Sequence, residues 1–110
     1  MEFQTKKFTT SSSGVYDSNV FTFNTQDLGY DLRRFGHHHI HATGLGSSGK
    51  YKVEFEPVGS ENNFVEAQAL LEVTDSVTIT SVYVNTFKIT ITPGSGSAPV
   101  VYIQSTERGF

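Results

Sequence analysis

The chain has 110 residues, a formal net charge of −3, and neither cysteine nor tryptophan. That length makes one domain, large enough to bury about two thirds of its unfolded surface around a single core. The missing cysteines exclude disulfide staples, thiolate nucleophiles and cysteine-ligated zinc, and the acidic balance supplies no basic surface for phosphate, so nucleic acid is not an expected partner.

No basic segment followed by an apolar run opens the chain, and no window resembles a membrane span, so neither a secretory leader nor a membrane partner is expected. Thirteen Thr, eleven Val, five Ile, nine Phe and five Tyr suit a pleated surface, which makes all-β the expected class.

In chain order, Glu2 to Thr9 and Val20 to Asn24 read as strands, separated by the polar loop TTSSSG at 9–14. Asp27, Asp31, Arg33 and Arg34 form a mixed-charge loop suited to the surface or to a subunit contact. The next stretch, FGHHHIHATG at 35–44, holds all four histidines. On a strand, His37, His39 and His41 share one face while His38, Ile40 and Ala42 share the other. Such a face serves as a polar or interfacial surface, as a proton switch near the imidazole pKa, or as a metal site. Same-face neighbours on one strand stand roughly 7 Å apart, so a shared ion needs converging side chains. His39-Ile40-His41 resembles the His-x-His sites of phage tail fibres and spikes. In a homotrimer with this strand near the axis, three copies of His39 and His41 would complete an octahedral shell for iron, nickel or zinc.

GLGSSGK at 44–50 lacks the spacing of a phosphate loop, since Tyr51 follows the lysine and a strand pattern comes next. In that strand, apolar and charged residues alternate, which points Tyr51, Val53 and Phe55 at the core and leaves Glu54 and Glu56 as solubilising charge rather than a catalytic pair. PVGSENN at 57–63 is a turn. From Phe64 to Glu72 a helical stripe (Phe64, Ala67, Leu70, Leu71) competes with a strand face (Val65, Ala67, Ala69, Leu71), and the neighbouring strands favour the strand. Val77 with Ile79, Phe87 to Thr92, and Val101 with Ile103 complete the pattern. GSGSA at 94–98 is a β-turn between two prolines, not a nucleophile elbow. The expected architecture is a single-domain antiparallel β-sandwich of about eight strands. Residues 1–30 form N-terminal strands or an arm and residues 31–110 the sandwich.

From about Leu32 onward, the order HHIHATG, GKYKVEFEPV, GSENNFVEAQ, SVTIT, FKITITPGSGS and APVVYIQS resembles the jelly-roll, galactose-binding-like modules of phage virion structural proteins. Phe64 stands where such modules often carry tryptophan, and the first 30 residues do not match. The resemblance implies a non-enzymatic virion protein, most simply a homotrimeric capsid decoration or cement protein that binds major capsid or other virion proteins and needs no cofactor. Phe3, Phe8, Phe21 and Phe23 are then candidate interface anchors, with Arg33 and Arg34, against the alternative that the phenylalanines are core. A second reading is a carbohydrate-binding module of a fibre or tail adaptor, using Tyr83, Asn85, Tyr102 and Gln104. A third, a small cupin-like metalloenzyme on His37, His39 and His41, lacks the downstream histidine such sites require.

Overall fold

The computed structural model describes residues 3–72, 76–80, 83–95 and 98–107. Nine strands, β1 (Phe3–Thr9), β2 (Tyr16–Asp17), β3 (Val20–Asn24), β4 (His37–Thr43), β5 (Lys50–Pro57), β6 (Val65–Glu72), β7 (Val77–Thr80), β8 (Val84–Thr92) and β9 (Val100–Thr106), make two sheets. One sheet runs β1-β9-β4-β7 and the other β2-β3-β8-β5-β6. Every pairing is antiparallel. Setting aside the two-residue β2, this is the strand order of a jelly roll: two four-stranded sheets, with the chain crossing between them at most connections.

The alternation read in the sequence decides which side chains meet between the sheets. Tyr51, Val53, Phe87, Ile89, Ile91, Ile79, Val101 and Ile103 are buried, and Phe55 packs against them from a half-buried position. The ambiguous segment is a strand: β6 pairs with β5 through an irregular register. Val65 is exposed and Ala67 packs on the core; the side chains of Ala69, Leu70 and Leu71 lie outside the described residues.

Residues 1–30, set apart in the sequence, supply β1 to one sheet and β2 and β3 to the other. That location corrects the role expected of three phenylalanines. Phe8, Phe21 and Phe23 are core residues, with Phe8 stacked on Phe23 at 4.6 Å and Phe23 against Phe87 at 5.8 Å, so their faces are spent inside the molecule and unavailable to a partner. The side chain of Phe3 lies outside the described residues. Phe64, which stands where the resembling modules often carry tryptophan, is half-buried. Its ring sits on the outer face of the five-stranded sheet under Lys88 Nζ, 4.5 Å from the centroid, rather than in the core.

Between β3 and β4 the chain makes a short helix, α1 (Thr25–Leu28), and a 3-10 turn at Leu32–Arg34. Asn24 Oδ1 accepts from the backbone N–H groups of Gln26 and Asp27, and Asp27 Oδ2 accepts from that of Asn24, a reciprocal cap that sequence alternation could not announce. Gly29 ends the helix at φ 80°, a left-handed conformation that glycine adopts without a Cβ penalty. Leu28 and Leu32 anchor this crossover in the core.

Candidate functional site

β4 is the strand that the histidines occupy, and its burial alternates at every residue. His38, Ile40 and Ala42 are fully buried while His37, His39 and His41 lie on the opposite, outer face. The inner histidine is held by polar neighbours. His38 Nδ1 lies 2.9 Å from Ser105 Oγ, and Ser105 Oγ lies 2.8 Å from the Tyr30 hydroxyl. The ring packs edge-on against Phe87 at 5.1 Å, and Nε2 is buried with no hydrogen-bond partner among the described residues. Burial, opposed by a backbone contact to Phe35 and reinforced by the neighbouring His37, pushes the His38 pKa from 6.5 down to about 4. Burial likewise raises the pKa of the Tyr30 phenol above its ordinary value, against the hydrogen bond it shares with Ser105. A serine beside a histidine has the form of a nucleophile and its base, but neither residue here has any surface for a substrate to reach. The trio joins β4 to β9 and to the segment before the 3-10 turn.

On the outer face, register builds cross-strand rows. Thr5, Gln104, His39 and Thr78 lie side by side across β1, β9, β4 and β7, and Lys7, Tyr102 and His41 form the adjacent row. His41 stacks on Tyr102 at 4.7 Å with 13° between the ring planes. His39 Nδ1 lies 3.0 Å from Thr78 Oγ1, and the His39 and His41 rings are 6.2 Å apart. Burial, followed by the nearby His39, lowers the His41 pKa. These rows line a groove of about 570 Å³ bounded by Thr5, Lys6, Lys7, His39, His41 and Tyr102, with Gln104 also in its wall.

For a metal, one chain offers His39 and His41 side by side, with one His39 nitrogen already next to a threonine hydroxyl. Among the described residues no group of three or more His, Asp or Glu side chains is placed to hold an ion. The acidic pair on β5 is occupied structurally. Glu54 sits 3.6 Å from Lys52 Nζ and 4.0 Å from Lys88 Nζ, and Glu56 accepts a hydrogen bond from the Asn62 N–H.

The four residues expected to bind sugar do not gather in one place. Tyr102 and Gln104 line the groove. Asn85 belongs to β8 in the other sheet, and Tyr83, 54% exposed, lies at the end of the sandwich. There a Cβ on Gly36 would be 3.8 Å from the Tyr83 ring, and the Tyr83 carbonyl accepts from the Val58 N–H at 2.9 Å, bringing Tyr83 next to a second exposed apolar residue. Arg33 and Arg34 are exposed just before Gly36; Arg33 pairs with Asp31 at 3.5 Å and Arg34 with Glu107 at 3.2 Å. Sequence reasoning missed Lys7 and Val58 because only strand pairing and the β5–β6 turn bring them beside Tyr102 and Tyr83.

No protein family matches the chain, and no curated protein resembles it in sequence. Among solved structures, the SPBc2 prophage-derived protein YomS shares the fold with a TM-score of 0.58 and 12% identity, over 96% of this chain and 96% of that one. The IMPa metallopeptidase from Pseudomonas aeruginosa shares it with a TM-score of 0.51 and 11% identity, over 94% of this chain but 12% of the enzyme. The same enzyme in complex with T-antigen gives 0.52 at 12% identity. At these identities the likeness is one of fold: a β-sandwich that stands nearly alone in a phage-derived protein and recurs as a small part of a large peptidase.

Proposed function

We propose that the protein is a non-enzymatic structural protein of a bacteriophage particle, a decoration or cement protein that binds across capsid subunits and stabilises the shell, acting in the virion as a homo-oligomer. The observation that carries this reading is the exposed apolar pair Tyr83 and Val58 at one end of the sandwich, joined through their backbones, with exposed Arg33 and Arg34 shortly before Gly36, the glycine that the Tyr83 ring approaches. Tyrosine and arginine are the residues that interface centres favour. A contact of about 800 Å² per partner is the usual size for a specific complex. The likeness to a prophage-derived protein over nearly the whole of both chains supports the phage setting.

The test compares particles assembled with and without the protein. Loss of the protein should lower survival of heat or osmotic shock, and Tyr83→Ala should weaken attachment at least tenfold while the protein itself stays folded. Equal survival of the two particles overturns the cement reading. A second reading, a carbohydrate-binding module of a fibre or tail adaptor, is favoured by Tyr102 and Gln104 standing in one groove.

A further inference from the structure

The Tyr102–His41 stack determines which surfaces of the outer groove remain open. The two rings stand on adjacent strands and cover one face of each other. Tyr102 is paired on its other side with Lys7 of β1, so its second face is turned toward β1 and lines the groove there. That wall is flat and apolar, and Tyr102 is 36% exposed. Around it stand the Thr5 hydroxyl and the Gln104 amide, each able to meet a hydroxyl group.

The charge of the groove opposes that of the whole protein. The chain is net negative, yet the charged side chain that the register of β1 sets on this outer face is Lys7, since Lys6 shares the inward side of the strand with Phe8, and no aspartate or glutamate lines the groove among the described residues. Among the described residues Lys7 has no carboxylate partner. An uncompensated cation beside an aromatic wall and neutral hydrogen-bonding groups fits a ligand with an apolar face, a rim of hydroxyls and a negative charge. A pyranose ring has a C–H face and a hydroxyl rim, and a carboxylate or phosphate on it supplies the charge. The volume of about 570 Å³ lies within the range of about 300–1,000 Å³ typical of small-ligand sites. A single lysine is too little for a nucleic-acid backbone, whose affinity rests on many phosphate contacts.

We propose that this outer face of the four-stranded sheet binds an anionic saccharide, with the sugar ring against the free face of Tyr102, hydroxyls on Gln104 and Thr5, and the carboxylate or phosphate on Lys7. This inference rests on the second of the two readings above and names its ligand class. It is compatible with attachment to a capsid through the Tyr83 end, because Tyr83 is not among the residues that line the groove.

Calorimetric titration of the purified chain tests it with four probes: trigalacturonic acid, glucose 6-phosphate, neutral maltotriose and a poly-glutamate peptide. Saturable binding of either anionic saccharide, at least tenfold tighter than maltotriose and the peptide, is expected; which of the two binds assigns the charge to a carboxylate or a phosphate. Tyr102→Ala and Lys7→Gln should each weaken that binding at least tenfold with the protein still folded, and loss of the His41 stack should lower the melting temperature of Tyr102→Ala by only a few degrees. Equal affinity for maltotriose overturns the anionic preference and leaves saccharide binding standing. Failure of all three saccharides overturns both. Binding of the peptide as tightly as the sugars, or indifference to both substitutions, overturns the proposal in favour of an acidic protein partner or of non-specific attraction.

Discussion

His38 Nδ1 stands 2.9 Å from Ser105 Oγ, and the two are direct cross-strand neighbours on β4 and β9 although 67 positions separate them in the chain. The pair puts a titratable ring inside a mainly apolar sandwich, and this gives the fold a dependence on pH.

Above pH 6.5 the His38 ring is neutral both folded and unfolded, and it costs nothing in proton terms. As pH falls, the unfolded chain takes up a proton near 6.5 while the folded one resists until about 4. The unfolded state therefore binds more protons across that window, and stability present above it is lost as pH falls through it. A shift of that size corresponds to about 3 kcal/mol. Thermal melts between pH 7 and pH 4 should show a falling midpoint. His38→Gln, which keeps a polar partner for Ser105 without a titrating ring, should flatten the fall, and an equally steep decline in that variant would remove His38 as its cause.

Two loops at one end of the sandwich close on each other through their backbones. Gly94 N–H donates to the Leu45 carbonyl at 3.0 Å and Ser95 N–H to the Ser47 carbonyl at 3.3 Å, while Ser47 N–H donates to Ser95 Oγ. A Cβ on Gly94 would lie 1.8 Å from the Ser47 carbonyl oxygen, so Gly94→Ala must push the loops apart and should cost about 1–3 kcal/mol. At Gly59, φ +90° and nothing near the added atom, alanine meets backbone strain alone and should cost about 1 kcal/mol. Urea unfolding of the two variants compares them directly; an equal loss would mean that the loops do not depend on this close approach.

The assignment of Phe23 to the core separates stability from binding. Phe23 is fully buried between Phe8 and Phe87, and Phe23→Ala should destabilise the protein by about 3–5 kcal/mol. Tyr83→Ala, at an exposed end, should leave the melting temperature within a few degrees of the wild type. A Phe23 variant that melts normally and loses only partner binding would restore that residue as an interface anchor.

Local pattern made most of the sandwich legible. In β4, β5, β8 and β9 a period of two places one side chain inside and the next outside, because successive Cβ atoms of a strand point to opposite faces. That rule is enough to assign Tyr51, Val53, Ile89 and Ile103 to the core and to split the histidines into an inner one and three outer ones. It is silent on which strands are neighbours, since the hydrogen bonds that pair β1 with β9 or β3 with β8 join segments far apart in the chain. Composition could therefore mark Phe8, Phe21 and Phe23 as large apolar groups in need of cover but could not say whether the cover was another molecule or the second sheet.

The site divides along the same line. The sequence by itself determined an all-β chain, its turns, and a histidine strand with two unlike faces, because these depend on residues a few positions apart. Only the tertiary structure decided that His38 meets Ser105 and Tyr30, that Tyr102 lies between Lys7 and His41, and that Tyr83 meets Val58 at the far end. Each of those contacts is set by strand register across the sheets or by closure of the turns, and register is a property of the whole fold in which both faces of every strand must be satisfied at once.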